Sequence, residues 1–321
     1  MGEKFRWAYV GSGSIARQTA HQIVKGNHII SSVFSRNIEK AKDFAGSYNA
    51  KAYDNFDKML QAGGFDAVYI GTPHTSHVDY AIRSINAGYP VLCEKPAGVS
   101  LKEVNALFEC AKKNDIYCAE AMWTWFSDVA IQVKNWVKSG EIGEIEKIEF
   151  IHAFPGVIMN KNSRLLLPET AGGALLDVGV YPIAYCYNLF GSPKDIKCEG
   201  VIKNGIDISE TVTMVYDGFE CISKMSLCYL KQNAIIKGTK GEIILPTFFH
   251  TANKATLKNE NGKQVFKGKT DYLTEFTRAA DEIKAGKKES DYIPFSSTIA
   301  TMKVMDECRR QMNLVYPFEA E

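Results

Sequence analysis

No charge of one sign dominates this chain: 38 Lys and Arg stand against 37 Asp and Glu. That balance gives no broad electrostatic footprint for nucleic acid, and no basic stripe or helix-turn-helix pattern supplies a local one. No apolar run approaches the length of a membrane span. The opening residues, MGEKFRWAYV, hold no apolar stretch of the kind a secretory leader needs. Arg6 stands where a myristoylation signal after Gly2 would require Ser or Thr. A soluble, cytoplasmic protein is therefore expected, with no nucleic-acid or membrane partner. The eight cysteines form no Cys-x-x-Cys and no pair with zinc-site spacing. They read as reduced, mostly buried thiols, with neither a disulfide nor a metal expected. Internal repeats and low-complexity tracts are also missing.

What is there is ample material for a core. Of 321 residues, 45% are hydrophobic, which is enough for two domains. Over the first ~120 residues, short β-branched or apolar runs alternate with segments of helical spacing. RWAYVG, HIISSVFSR, FDAVYIGTP, YPVLCEKP and IYCAEAM read as strands. The stretches between them read as helices, with Asn37 as one N-cap and Thr75 or Ser76 as another. Ser100 and Glu103 form a capping box before a further helix. Such alternation implies a parallel sheet wound with helices on both faces, whose ligands sit at the carboxyl ends of the strands.

After Met122 the rhythm changes. A helix near 127–139 precedes a strand, and an Asn- and Lys-rich loop follows. Next comes an apolar helix opened by Gly172-Gly173, with Gly179 and Pro182 expected to distort it. From 194 to about 267 strand follows strand, with an Asp-Gly hairpin signal at 217–218. Two helices, near 271–285 and 295–312, close the chain. The expected fold is α/β: an N-terminal doubly wound parallel sheet over 1–122, and a C-terminal α+β domain over 123–321 with an open, mostly antiparallel sheet. The C-terminal helix is a candidate to pack back on the first domain.

Five stretches carry chemistry. In VGSGSIA, Gly11-x-Gly13-x-x-Ala16 follows the first strand and opens the first helix. One Gly permits the turn, the next lets a pyrophosphate approach the backbone, and the small third residue lets helix pack on strand. Gly11, Ser12, Gly13, Ser14 and Ile15 are thus candidate cofactor contacts, the helix N–H groups meeting the phosphates. At the end of the second strand a carboxylate would bond the ribose of NAD; FSRN stands there instead. Ser35, Arg36 and Lys40 suit a 2′-phosphate, so NADP is expected in preference to NAD. GTPHTSH supplies Thr72, Pro73, His74 and His77 as a loop lining the same crevice.

In CEKPAGVS, Lys95 surfaces at a strand end, where an ammonium can bond the oxygen whose carbon exchanges hydride. Glu94 can hold Lys95 or touch the ribose. In GGALLDVGVYP, Asp177 and Tyr181 lie four apart on one helix face among apolar residues. Taken alone, EKP also reads as a surface ion pair and Tyr181 as a core tyrosine. Trp123, Phe154 and Arg164 are candidate substrate contacts, with Trp125 and Phe126 equally readable as core.

Together these motifs, in this order, make the chain similar to the Gfo/Idh/MocA oxidoreductases, and within them to the dimeric dihydrodiol dehydrogenase branch. The resemblance spans nearly the whole chain, and EKP with GGxLLDxGxYP is its specific part. It implies a Rossmann domain, a C-terminal open mixed sheet that often mediates dimers, and hydride transfer between NADP and a hydroxyl-bearing carbon. It implies Lys95 as the active-site lysine, Tyr181 where many members have His, and Asp177 as the acidic residue before it. One departure stands out: Trp123-Thr124-Trp125-Phe126 replaces the branch's Trp-Thr-Arg-Phe. The implied function is an NADP-dependent dehydrogenase or reductase of a small sugar, polyol or cyclic diol, assembled as a homodimer or higher homo-oligomer through the C-terminal sheet. A catalytically silent NADP-binding sensor or regulatory subunit is the alternative.

Overall fold

A computed structural model of the chain describes residues 3–159 and 163–319. Residues 160–162, within the Asn- and Lys-rich loop, and Gly2 lie outside the described residues. Two compact units divide the chain: Met1–Gly98, Lys102–Trp123 and Asp271–Phe295 form the first; Val99–Leu101, Thr124–Thr270 and Ser296–Glu321 the second.

In the first unit, strands β1 (Phe5–Val10), β2 (His28–Phe34), β3 (Lys51–Tyr53), β4 (Ala67–Ile70), β5 (Val91–Glu94) and β6 (Cys118–Ala121) form a parallel sheet. Its order is β3-β2-β1-β4-β5-β6. Helices α1 (Ser14–Ile23), α2 (Ile38–Gly46), α3 (Phe56–Ala62), α4 (His77–Asn86) and α5 (Leu101–Asn114) make the crossovers. Strands β4, β5 and β6 are buried along their whole length, and β1 at every residue but Arg6, as a sheet covered on both faces requires. Asn37 caps α2, its side chain accepting from the Glu39 and Lys40 N–H groups at 3.0 and 3.1 Å. Ser76 does not cap α4; its hydroxyl turns back to Thr72 Oγ1 and the Pro73 carbonyl. The three-residue strand β3 is too short to announce itself in sequence.

The second unit holds α6 (Asp128–Lys138), β7 (Ile145–Ala153), α7 (Gly156–Met159) and α8 (Val180–Phe190). It continues with β8 (Asp195–Lys203), β9 (Ile206–Val215), β10 (Glu220–Ser226), β11 (Lys231–Gly238), β12 (Gly241–Leu245), β13 (Lys254–Asn259) and β14 (Gly262–Lys267). The eight strands run β14-β13-β12-β11-β7-β10-β9-β8, antiparallel except where β10 pairs with β7. The Asp-Gly hairpin forms as read, with Gly218 at φ +83 and Tyr216 N–H bonded to the Phe219 carbonyl. Alternation along β10 and β11 buries Cys221, Ser223, Met225, Ala234 and Ile236. It leaves Ile222 and Ile235 half-exposed on the other face.

One helix is assigned to the first unit against its place in the chain. Helix α9 (Tyr272–Lys284) lays Phe276 on Trp7 at 4.8 Å and on Tyr69 at 5.0 Å between ring centres. Such aromatic pairs add roughly 0.5–1.5 kcal/mol each beyond area burial. Helix α10 (Phe295–Met312) belongs almost entirely to the second unit. Cys186 on α8 and Cys221 on β10 are both buried and meet sulfur to sulfur. Their 35-residue separation hid that helix and strand pack together.

Candidate active site

The first unit gathers one group of functional residues along the carboxyl edge of its sheet, because β1, β4 and β5 are neighbours there. After β1, Gly11 turns at φ +105, and a Cβ on it would stand 2.7 Å from the Gly71 carbonyl oxygen after β4. Only glycine allows that approach. Gly13 and Ser14 are exposed, and a Cβ on Gly13 would meet nothing within 4 Å. Helix α1 starts there with no side-chain cap and no acidic residue in its first turn. Its first N–H groups and positive dipole end face open space, an arrangement that fits a pyrophosphate. Ser12 Oγ bonds Ser35 Oγ at 3.2 Å, linking the turn to the end of β2. Ile15 is half-buried beside Ala16, which is fully buried against the sheet. Arg36 and Lys40 are exposed at the rim, and Arg36 has no ion-pair partner among the described residues.

The GTPHTSH loop is fixed by His77. Its ring is fully buried, with Nδ1 2.8 Å from the Pro96 carbonyl and Nε2 2.8 Å from the Thr72 carbonyl. Carbonyl oxygens only accept, so whichever ring nitrogen carries the proton donates to the carbonyl facing it. His77 thereby ties the loop after β4 to the EKP loop. His74 is buried beside it, ring centres 5.7 Å apart, and Pro73 precedes their short helical turn.

Lys95 is half-buried just past β5, and two carboxylates hold its backbone. Glu94 Oε2 accepts the Lys95 N–H at 3.2 Å, and Glu120 Oε1 accepts the Ala97 N–H at 3.0 Å. Glu94 Oε1 in turn accepts the Tyr69 hydroxyl at 2.7 Å. Burial, then the neighbouring Glu94 charge, pushes the Tyr69 phenol well up. Glu275, fully buried on α9, faces Glu94 and Glu120, and neither of its oxygens has a hydrogen-bond partner among the described residues. Burial, then those two carboxylates, raises it far above the ordinary carboxyl range, so it is held protonated. Trp123, also of this unit, stacks on Tyr272 with ring centres 4.4 Å apart, beside a groove lined by Arg17, Gln18 and His21.

The second unit gathers another group. Leu175–Gly179 form a π-helical turn that runs into α8, at the place where Gly179 and Pro182 led us to expect distortion. Asp177 sits on this turn and pairs with Arg164 at 3.3 Å, so the arginine clamp and the acidic residue are partners. Tyr181 is buried on the first turn of α8. Its ring lies 5.4 Å from that of His152 and 4.8 Å from that of His250. The two imidazoles stack on each other at 4.4 Å, and His152 Nδ1 is 3.1 Å from the Val178 carbonyl. Phe154 is half-buried just past β7, its ring against Gly156. Trp125 and Phe126 are buried in this unit, Trp125 against Tyr185, and so take the core reading.

Sequence reasoning missed Tyr69, Glu120, Glu275, His152 and His250. Glu120 lies in CAEAM, where a carboxylate breaks an apolar strand, and His152 in FIHAF does the same; those interruptions were the available signal. Among the described residues no three His, Cys, Asp or Glu side chains group as a metal site, and no helix is long and apolar enough to cross a membrane.

Comparison with known proteins agrees with this layout. Residues 5–121 match the family described as "Oxidoreductase family, NAD-binding Rossmann fold", and residues 130–244 match the "GFO/IDH/MocA C-terminal domain". The chain is 33% identical over 308 residues to scyllo-inositol 2-dehydrogenase (NADP(+)) of Bacillus subtilis, covering 90% of each protein. It is 27% identical over 342 residues to trans-1,2-dihydrobenzene-1,2-diol dehydrogenase of Danio rerio, covering 98% of this chain and 99% of the relative. Among solved structures, an aldose-aldose oxidoreductase from Caulobacter crescentus complexed with glycerol superposes with a TM-score of 0.87. It covers 97% of this chain and 98% of that one at 18% identity, a likeness of fold alone.

Proposed function

Since the chain belongs to the Gfo/Idh/MocA oxidoreductases, we propose that it moves hydride between NADP(H) and a hydroxyl-bearing carbon of a small ring substrate with neighbouring hydroxyls. The observation that carries this reading lies within the first unit. An uncapped helix start with open space before it and a backbone-clamped lysine share the carboxyl edge of one sheet, on the neighbouring strands β1, β4 and β5. Two relatives support the ring: one is named for an inositol with NADP(+), the other for a dihydrobenzene diol.

When bound, NADP takes up the hydride or NADPH gives it. The Gly11–Ile15 turn and the start of α1 hold the pyrophosphate through backbone N–H groups. Arg36, with Ser35 and Lys40, bonds the 2′-phosphate and so selects NADP over NAD. Thr72, Pro73, His74 and His77 line the crevice, and Glu94 keeps Lys95 in place. Lys95 donates to the substrate oxygen and stabilises the negative charge that develops on it. Tyr181, with His152 and His250 beside it, exchanges the proton at a substrate hydroxyl. Arg164, oriented by Asp177, with Trp123 and Phe154, contacts the substrate ring. The half-exposed face of the second unit's sheet, where Ile222, Glu149, Ile235 and Ile244 lie in one row, pairs two copies of the chain.

The test is a fluorescence titration of NADPH and NADH against the purified protein and Arg36→Ala. Wild type should prefer NADPH, and the substitution should remove about ten- to hundred-fold of that preference, the worth of one or two charge-assisted bonds. Failure of both nucleotides to bind at micromolar concentration would overturn the reading. Lys95→Met should bind NADPH normally and lose about 10²–10³-fold or more in turnover of scyllo-inositol or a cyclic trans-diol. Unchanged turnover in that variant would favour a silent, sensing role.

A further inference from the structure

The helix segment that carries Asp177 and Tyr181 starts without any cap from its own sequence. Ala174 stands at the N-cap position, where no side chain accepts a hydrogen bond. The acceptor comes from β9 instead. Asp207 Oδ2 accepts the Leu175 N–H at 2.6 Å inside the core, and its carboxyl also interacts with the Ala174 N–H. The double glycine exists for this contact. Gly173 turns at φ +124, and a Cβ on it would stand 2.1 Å from Asp207 Oδ1. A Cβ on Gly172 would stand 2.6 Å from the Leu165 carbonyl oxygen. The same turn is bonded on its outer side by the Arg164 loop, through Gly173 N–H to the Leu165 carbonyl at 2.9 Å. One carboxylate thus reaches the backbone from which both the Asp177–Arg164 pair and Tyr181 are projected.

Asp207 does not act alone. Glu210, three residues on and buried, faces it, and neither Glu210 oxygen nor Asp207 Oδ1 has a hydrogen-bond partner among the described residues. Two such buried acids cannot both be charged. Burial, then the Asp207 charge, pushes Glu210 well up, and burial pushes Asp207 up as well. The titratable groups facing the pair are Cys198 of β8, Cys308 of α10 and Tyr316, whose hydroxyl bonds the Gly172 carbonyl at 3.4 Å. The nearest cation behind them, Arg309, lies over the Tyr316 ring and is paired with Glu319. The negative charge on Asp207 is therefore balanced by the helix start.

We propose that Asp207, with Glu210 packed beside it, is a positioning residue: it anchors the glycine turn and so sets the orientation of Asp177 and Tyr181. This rests on the hydride-transfer reading for its consequence, while the anchoring itself can be read without any substrate. Hydrogen exchange by mass spectrometry should follow the 171–181 segment in wild type, Asp207→Ala, Glu210→Leu and Glu210→Gln. Asp207→Ala should speed exchange in this segment about ten-fold or more while the β1–α1 segment keeps its protection. Glu210→Leu should do the same to a smaller degree. Glu210→Gln, whose amide can donate to the open Asp207 Oδ1, should restore most of the protection that Glu210→Leu loses.

In turnover of a cyclic diol, Asp207→Ala should lower kcat with the NADPH dissociation constant unchanged. If Asp207→Ala fails to fold, the contrast between the two Glu210 variants decides. Wild-type exchange in Asp207→Ala, or equal exchange in Glu210→Leu and Glu210→Gln, overturns the proposal. Absence of turnover in wild type with the expected exchange pattern overturns the function and leaves the anchor standing.

Discussion

Two glycine-bearing turns start two helices in this chain, and they treat the same exposed backbone in opposite ways. At Gly11-x-Gly13 the start of α1 has no cap, no acidic neighbour, and open space where a side chain would be. At Gly172-Gly173 the space is filled from within by the Asp207 carboxylate. Every helix start has unsatisfied N–H groups and a positive dipole end. A start left unsatisfied at an exposed edge is available to an outside anion. One satisfied by an internal carboxylate can bind nothing there and serves to fix the helix that grows from it. A glycine pair in sequence therefore does not by itself indicate phosphate binding; the occupant of the missing Cβ volume does.

Putting a carboxylate into the open turn should have the largest effect. Gly13→Asp would let the α1 start cap itself and would set a negative charge where the pyrophosphate belongs. NADPH affinity should fall about a hundred-fold or more, with far-ultraviolet circular dichroism unchanged. Removing the room at the filled turn comes next. Gly173→Ala meets both a backbone conformation that alanine avoids and the Asp207 oxygen, and should cost about 2–4 kcal/mol in urea unfolding. A loss under about 1 kcal/mol there would mean that the two turns are not so different.

A third test contrasts Asp207, anchored on a helix start, with Glu275, whose oxygens have no hydrogen-bond partner among the described residues. The folded protein holds a proton on Glu275 that the unfolded chain releases above about pH 4.5. Folded stability therefore falls as pH rises above that value, by up to about 1.4 kcal/mol per pH unit for one proton. Glu275→Gln removes this contribution. Urea unfolding between pH 5 and 8 should show a flatter decline for the variant, and parallel curves would remove Glu275 as the source.

The parallel sheet, the hairpin and the helix distortion were legible because each is written in neighbouring residues: a period, an Asp-Gly pair, a Gly179 and Pro182 within one helix. Lys95, Arg36 and the glycine turn were legible for the same reason. The groups that hold them were not. Glu120 reaches Ala97 across 23 residues, Asp207 reaches Leu175 across 32, and both come from adjoining strands or turns that only folding brings near. The Cys186–Cys221 contact escaped in the same way. Arg164 shows the middle case: its side chain was singled out as a candidate substrate contact, but its pairing with Asp177 was not read.

Helix α9 has a consequence for how the protein is made. The face of the first sheet that Phe276 covers, with Trp7, Tyr9 and Tyr69, consists of residues translated before the second sheet. Its cover is translated only after that entire sheet. A nascent chain leaving the ribosome thus carries these aromatic rings uncovered until α9 emerges, a surface on which holding chaperones can act. Release from them would coincide with the emergence of residues 271–295, and a gene cut after residue 122 would express a fragment that never reaches that point.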